Sequence, residues 1–318
     1  MMPNNISFII VNYFTKQLTN NLIHSINKYK GEADPEIIVI DNTTDVTHRF
    51  KSKIAGVKTH FSTKNMGFGS ACNIGAKLAS NENLVFINPD ALFFNKNSIL
   101  RIFESFDRFS KDTIFGGRIL NKNNKPVCNT FKFSNFVHIY FQNSFRRMLG
   151  ISLPLLTNKD NIFKEDQCRE VEWISGAFLC INKSFFWELG GFNEEIFMYE
   201  EDAELCYRAK QLNGKVLFTP MAEVIHYGGA ASKDNNELLS FIGFKSALYF
   251  YRKRHNYLQT LLLKKLVLMT WNVIYLQLRI FARISPSQFK TKKSFWKKLI
   301  TFSKQYDNIS KMDIAHLL

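Results

Sequence analysis

Four short apolar runs in the first 90 residues alternate with segments of helical period, and each run ends in polar residues. Ile6 to Val11 leads into Asn12, and Glu36 to Ile40 leads into Asp41-Asn42-Thr43-Thr44. Val57 to Phe61 precedes Asn65-Met66-Gly67-Phe68-Gly69, and Leu84 to Ile87 precedes Asn88-Pro89-Asp90. Runs without an alternating polar face need cover on both sides, the condition of a parallel sheet flanked by helices. Between them Leu18, Leu22, Ile23 and Ile26 recur at helical spacing up to Gly31, as do Ala71, Ile74, Ala76 and Leu78. The alternation predicts an α/β fold with a mostly parallel, Rossmann-like sheet. Ligands of such sheets bind beyond the carboxyl ends of the strands, which places Asn12, Asp41, Asn65 and Asp90 at the binding edge.

Further along, Ile99 to Phe109 has helical period and Ile114 to Leu120 is a strand. The periodicity blurs from Phe131 to Gln167, where no element can be assigned. Glu172 to Ile181 returns to a strand pattern, with Gly176 allowing close approach of backbone or ligand. Val216 to Phe218 and Val224 to Ile225 read as two short strands ending at His226. The Gly67-Phe68-Gly69 turn fails as a dinucleotide fingerprint, because Cys72 holds the third glycine position. Its glycines fit either a plain tight turn or close approach of backbone to a ligand.

The stretch Glu200-Glu201-Asp202 opens a helix in which Leu205, Cys206, Ala209 and Leu212 share one side, and Gly214 closes it. Acids gather in a first turn because the helix dipole favours them there, which accounts for Glu200 and Glu201. Asp202 falls on the side of Leu205, Cys206 and Ala209, so it faces inward, toward a cleft. Glu201, Glu204, Arg208 and Gln211 fall opposite, with Glu204 and Arg208 spaced for an i,i+4 pair.

Length allows one large domain or one domain with an appendage. Five cysteines show no CxxC and no paired spacing, which argues for reduced thiols in a cytosolic protein and against a structural zinc site. Ile6 to Val11 is too short for a signal-peptide core. The charge is uneven. Gly243 to Leu318 holds 15 Lys and Arg against 2 Asp and Glu, a net +13, whereas Met1 to Ile242 nets only +2.

In this order and spacing, the motifs resemble a family 2 glycosyltransferase of GT-A fold, near its bacterial rhamnosyltransferase-like members. They are Ile10-Val11-Asn12-Tyr13, Val39-Ile40-Asp41-Asn42, Asn65-Met66-Gly67-Phe68-Gly69 with Asn73 and Gly75, and Asn88-Pro89-Asp90. Trp173-Ile174-Ser175-Gly176-Ala177, Gly190-Gly191-Phe192-Asn193-Glu194, Glu201-Asp202 and His226 complete the set, across roughly residues 6 to 232. The resemblance implies a nucleotide-sugar donor held by Asn12, Asp41, Asn42, Asn65, Gly67, Asn73, Asp90, Trp173 and Gly176. It implies Asp202 as the catalytic base, with Glu201 as runner-up, and a single displacement with inversion at the anomeric carbon. A helix N-terminus should hold the Asp202 pKa low. The family's metal-binding Asp-X-Asp becomes Asn88-Pro89-Asp90, leaving one carboxylate for Mg²⁺ or Mn²⁺. His226 is then a second ligand or a structural histidine. Asn88 also keeps open a protein that binds nucleotide sugars without turning them over. Among donors the resemblance favours dTDP-rhamnose, with a UDP-linked hexose or galactofuranose as alternative.

The family pattern does not reach the last 80 or so residues. Leu258 to Ile284 is largely apolar but interrupted by Lys264, Lys265, Thr270 and Asn272, short of the ~18 unbroken apolar residues of a spanning helix. Lys265, Asn272, Arg279 and Arg283 share a stripe, and basic clusters flank the segment at Arg252 to Arg254 and Lys290 to Lys298. The pattern fits a helix lying on an anionic membrane surface, or a core helix of the catalytic part. Nucleic acid is not indicated, since no recognition fold accompanies the charge. The expected division is a catalytic domain over 1–242 and a basic, helical, membrane-associating extension over 243–318. The expected location is cytoplasmic, peripheral on the inner face of the plasma membrane, with a lipid-linked oligosaccharide as acceptor.

Overall fold

The computed structural model describes residues 6–144, 159, 166–228, 236–284 and 286–305. Its strands are β1 (Ile6–Asn12), β2 (Glu36–Asp41), β3 (Lys58–Phe61), β4 (Asn83–Ile87), β5 (Ala91–Leu92) and β6 (Thr113–Leu120). They continue with β7 (Pro126–Val127), β8 (Thr130–Phe131), β9 (Arg169–Glu170), β10 (Trp173–Ile174), β11 (Phe178–Asn182) and β12 (Lys215–His226). The helices are α1 (Lys16–Tyr29), α2 (Phe68–Leu78), α3 (Lys96–Arg108), α4 (Phe136–Asn143) and α5 (Lys183–Glu188). After them come α6 (Glu201–Gln211), α7 (Asn236–Arg254), α8 (Tyr257–Ile284) and α9 (Pro286–Gln305).

The main sheet runs β3-β2-β1-β4-β11-β6-β12-β5. The first four strands are mutually parallel and β12 is parallel to β6, while β11 runs against both β4 and β6. Alternate residues of one strand enter different cores, which is why the runs lack polar breaks. Ile9 and Val11 pack with Ala71, Cys72 and Ala76 of α2 and Leu205, Cys206 and Ala209 of α6. Phe8 and Ile10 pack with Leu22, Ile23 and Ile26 of α1 and Ile99, Ile102 and Phe103 of α3.

Two departures from the sequence reading have local causes. The two short strands after Lys215 are one strand, β12, whose register against β6 shifts between Phe218 and Glu223. Pro220 in that gap cannot donate to the ladder, so an irregularity there keeps the rest paired. The single strand expected over 172–181 splits at Ser175–Ala177, with β10 pairing β8 and only β11 joining the main sheet. Helix α5, absent from the sequence reading, starts where the Asn182 side chain accepts from the Ser184 N–H.

Glu36 ties the opposite edge of the sheet. It accepts from Ser7 Oγ at 2.5 Å, from the Ser80 N–H at 2.8 Å and hydroxyl at 3.0 Å, and from Lys58. Burial acts to raise its pKa, but the hydrogen bonds from Lys58, Ser7 and Ser80 together bring it down to about 2. A depressed folded-state value means stability gained above the unfolded pKa of about 4.3 and lost as pH falls toward 2. Glu36→Gln is therefore expected to lower Tm at neutral pH by a few degrees and to flatten the Tm-against-pH curve between those values. Equal acid sensitivity in both proteins would refute the assignment.

The chain forms two compact units. The first comprises Met1–Phe133, Lys159–Phe197 and Glu201–Ala231, and carries the sheet. The second comprises Ser134–Asn158, Met198–Glu200 and Ser232–Leu318. Its core is helical: Leu263, Val267, Trp271, Ile274 and Leu278 of α8 pack with Phe241, Phe244 and Tyr251 of α7, Trp296, Leu299 and Ile300 of α9, and Ile139 of α4. Trp271 Nε1 donates to the Asn143 carbonyl at 2.6 Å, and the Tyr140 and Thr270 hydroxyls are 2.9 Å apart. Helix α4 thus gives part of the unassigned 131–167 stretch a role in packing; the rest of that stretch lies largely outside the described residues. Ser246 Oγ of α7 donates to the Met198 carbonyl at 2.8 Å. By length and composition Tyr257–Phe281 is long and apolar enough to cross a membrane, at mean hydropathy 1.3, in spite of its interruptions. A soluble core helix passes the same test, and 33% of that segment's most apolar window is buried.

Candidate active site

The carboxyl ends of the parallel strands gather most of the residues singled out in the sequence, in two groups with different environments. At the ends of β1 and β2 lies a closed hydrogen-bond network. Asn12 Nδ2 donates to Asp41 Oδ1 at 2.8 Å and to Thr43 Oγ1 at 3.3 Å, and Asn12 Oδ1 accepts from the hydroxyls of Thr15 and Thr19. Asp41, 0% exposed, also accepts from the Thr43 N–H at 3.0 Å and the Phe50 N–H at 2.6 Å. Asn42 Nδ2 donates to the Gly67 carbonyl at 3.0 Å, and its Oδ1 accepts from Ser62 Oγ at 3.0 Å. These side chains shape the rim from beneath by tying β1, β2 and the Gly67 turn together.

Asn65 Oδ1 accepts from the Gly67 N–H at 3.0 Å, an Asx turn that leads into α2. Gly67 has φ +80°, and a Cβ there would lie 2.0 Å from the Phe197 carbonyl oxygen. The close approach foreseen at this glycine is made by the chain's own backbone. Asn73 stands apart from the network: it donates to the Phe192 carbonyl and Glu194 Oε1 and accepts from the Phe192 N–H, fixing the turn before α6. Trp173 stacks on Phe131 at 4.3 Å and donates to the Lys132 carbonyl.

The second group surrounds the strand ends of β4, β11 and β12. Asp90 Oδ1 lies 2.9 Å from His226 Nε2, and the Asp90 carbonyl accepts from the Tyr227 N–H. Asn88 Nδ2 approaches the same imidazole nitrogen at 3.5 Å, and the Asn88 N–H donates to the Ala177 carbonyl at 3.1 Å. One residue earlier, the Gly176 N–H donates to Asp202 Oδ2 at 2.8 Å. A continuous series of contacts therefore runs from His226 and Asp90, through the reversed start of β11, to Asp202.

Burial pushes the Asp202 carboxyl above the usual carboxylate range, against the hydrogen bonds from the Gly176 and Ala203 N–H groups that favour its ionised form. The depression expected from the helix N-terminus does not prevail, because removal of water outweighs it. A raised value makes a stronger base. Glu201 is not outward-facing as its helical position suggested. It is 6% exposed, its Cβ is close to Gly69, and its charge acts on the buried Cys72 thiol. Glu204 is likewise buried and meets Arg208 Nε at 3.0 Å, while Arg208 also donates to the carbonyls of Leu189 and Gly191. The ion pair fixes α6 to the turn before it, with Asp202 left beside Gly176.

The sequence reading gave no role to Phe14, an exposed aromatic with φ +53° two residues after β1, its ring 5.7 Å from that of His48. Tyr13, beside it, has its hydroxyl pKa pushed up by burial, partly countered by a hydrogen bond with Asn65. An exposed aromatic with left-handed backbone at a strand's carboxyl end is the signal that could have pointed to Phe14.

A mostly parallel sheet with one reversed inner strand, polar strand ends and a carboxylate at the start of a nearby helix agrees with the GT-A fold that the sequence motifs implied. The chain belongs to glycosyl transferase family 2, whose family model matches residues 7–166, and it is a transferase of EC class 2.4. It is 28% identical over 229 residues, 71% of this chain and 68% of the relative, to the low-salt glycan biosynthesis hexosyltransferase Agl10 of Haloferax volcanii. It is 27% identical over 243 residues, 73% of this chain and 86% of the relative, to the rhamnosyltransferase WbbL of Escherichia coli K12. Among solved structures, GalNAc-T7 with UDP, GalNAc and Mn²⁺ aligns with TM-score 0.53 and 17% identity over 79% of this chain and 50% of that one, a likeness of fold.

Proposed function

We propose that this glycosyltransferase moves one sugar, rhamnose from dTDP-rhamnose in the first instance, to a hydroxyl of a lipid-linked glycan, with Asp202 as the base. The observation that carries the reading is the series of contacts joining Asp202, Gly176, Ala177, Asn88, His226 and Asp90 at one sheet edge. Asp202 takes the proton of the acceptor hydroxyl as its oxygen bonds to the anomeric carbon. The bond from that carbon to the diphosphate breaks on the opposite face, giving inversion. Asn12, Asp41, Asn42, Asn65, Gly67 and Asn73 hold the backbone of the donor rim, Trp173 and Gly176 line its sugar end, and Phe14 offers an exposed ring for the base.

A divalent cation fits the Asp90–His226 pair. Their donor atoms are 2.9 Å apart, close to the roughly 3.0 Å edge of an octahedron with 2.1 Å metal–ligand distances. A carboxylate oxygen with an imidazole nitrogen suits Mn²⁺ somewhat better than Mg²⁺. Among the described residues no cluster of three or more His, Cys, Asp or Glu could hold an ion, so phosphates and water would complete the shell. When bound, the cation neutralises charge that develops on the leaving diphosphate.

Asp90→Ala is expected to abolish metal-dependent binding of nucleoside diphosphate, and His226→Ala to weaken it less, as read by thermal shift with and without Mn²⁺. Chelator that leaves the wild-type enzyme's activity untouched would remove the metal from the proposal. Acceptor-dependent release of nucleoside diphosphate tests the reaction itself, with dTDP-rhamnose against UDP-hexoses as donors. The hexosyl alternative left by the resemblance is supported by the likeness to the hexosyltransferase of Haloferax volcanii. The lipid-linked acceptor and a peripheral position at the inner membrane face rest on the basic, apolar character of the carboxyl-terminal helices.

A further inference from the structure

Helix α8 is apolar on two opposite sides, and the second unit's core uses only one of them. At 100° per residue, Leu263, Val267, Trp271, Ile274 and Leu278 lie on one side and are buried. On the other side Leu258, Leu262, Met269, Val273, Leu276 and Ile280 form a line, each between 47 and 74% exposed. From Leu258 to Ile280 that line is about 33 Å long at 1.5 Å per residue. Lys265, Asn272, Arg279 and Arg283, all exposed, run along one border of it. An apolar line of this length is unusual on a soluble surface. A helix committed to crossing a bilayer would not bury its opposite face against α7 and α9, nor border its apolar line with Lys265, Arg279 and Arg283.

We infer that α8 lies flat in the interface of an anionic bilayer, with the Leu258–Ile280 line facing the acyl boundary and Lys265, Arg279 and Arg283 meeting lipid phosphates. The occupant is a lipid surface because the border carries Lys265, Arg279 and Arg283, α8 contains no Asp or Glu, and residues 243–318 net +13. A second copy of the chain would bring a like-charged border against this one. The placement rests on the reading of a lipid-linked acceptor, since it holds the enzyme where such an acceptor lies.

The test is flotation of the full-length protein with vesicles of phosphatidylglycerol and phosphatidylethanolamine, against vesicles of phosphatidylcholine alone. Flotation with the anionic vesicles is expected at about 0.1 M salt, reduced but not abolished at about 1 M, where screening is within roughly 3 Å. Leu262→Ser, Val273→Ser, Leu276→Ser and Ile280→Ser combined should lower partitioning at least about ten-fold with an unchanged melting curve. Lys265→Gln, Arg279→Gln and Arg283→Gln combined, which leave the apolar line intact, should lower it about 10²-fold on anionic vesicles only, at about five-fold per charge. Alkaline carbonate should extract the bound protein. Absence of flotation, indifference to both sets of substitutions, or resistance to carbonate would overturn the inference. So would a dimer in sedimentation that the serine variant dissolves. Thermal shift with nucleoside diphosphates reads the transferase proposal separately, so that either can fail while the other stands.

Discussion

Asp202→Asn is expected to lose about 10²-fold or more in turnover while nucleoside diphosphate still binds near the wild-type affinity. The side chain keeps its size and an acceptor for the Gly176 N–H, so the loss reads proton transfer rather than collapse of the cleft. As the proposed base, Asp202 acts in its ionised form, so kcat/KM should fall as pH drops through the Asp202 pKa. Because burial raises that value, the acid limb should lie above the ordinary aspartate range around 3.9. The profile against pH and nucleotide titration check both parts. Near-normal activity in Asp202→Asn, with Glu201→Gln inactive, would hand the role to Glu201. The buried position of Glu201 against Gly69 and Cys72 argues against that outcome.

Gly67→Ala should be the most damaging single methyl in the catalytic unit. Its φ of +80° costs any L-residue about 1–2 kcal/mol. The added carbon would also sit 2.0 Å from the Phe197 carbonyl, a backbone atom that no rotamer change can move aside. A total of about 3 kcal/mol or more would lower Tm by about 6–12 °C at this size, with nucleotide affinity lost as the Asn42–Gly67 link breaks. Gly56→Ala separates the two terms, since Gly56 has φ +81° with nothing within 4 Å of its added carbon. It should cost the conformational part alone, read in parallel thermal melts. Equal melting of the two variants would show that the Phe197 contact does not constrain the turn.

The strands of the catalytic sheet were legible because a run apolar on both faces identifies itself, and its polar end marks the binding edge. The reversal of β11 was not, since strand direction depends on pairing with β4, about 90 residues earlier in the chain. Helical periodicity singled out Asp202, but its neighbour Gly176 is 26 residues away, and the raised pKa comes from burial that no local pattern encodes. The same periodicity put Glu201 and Glu204 on the side away from Leu205, Cys206 and Ala209, yet both are buried. Glu204 is buried because Arg208 meets it with Nε and a terminal guanidinium nitrogen and binds the preceding turn as well. Asn12, Asp41 and Asn42 have the chemistry of ligand-binding groups in the sequence. Only the folded chain shows how many of their bonds are spent on each other.

Met198–Glu200, the three residues immediately before α6, belong to the helical unit, and Ser246 of α7 holds the Met198 carbonyl. Tyr199 and Glu200 keep left-handed backbone there, with φ of +69° and +67°. The helical unit therefore includes the residue that immediately precedes α6 in the chain. A chain truncated before Ser246 would lose the hydrogen bond that holds the Met198 carbonyl, three residues ahead of α6. A graft of α7 to α9 onto another catalytic domain would carry no counterpart of Met198–Glu200 to grip.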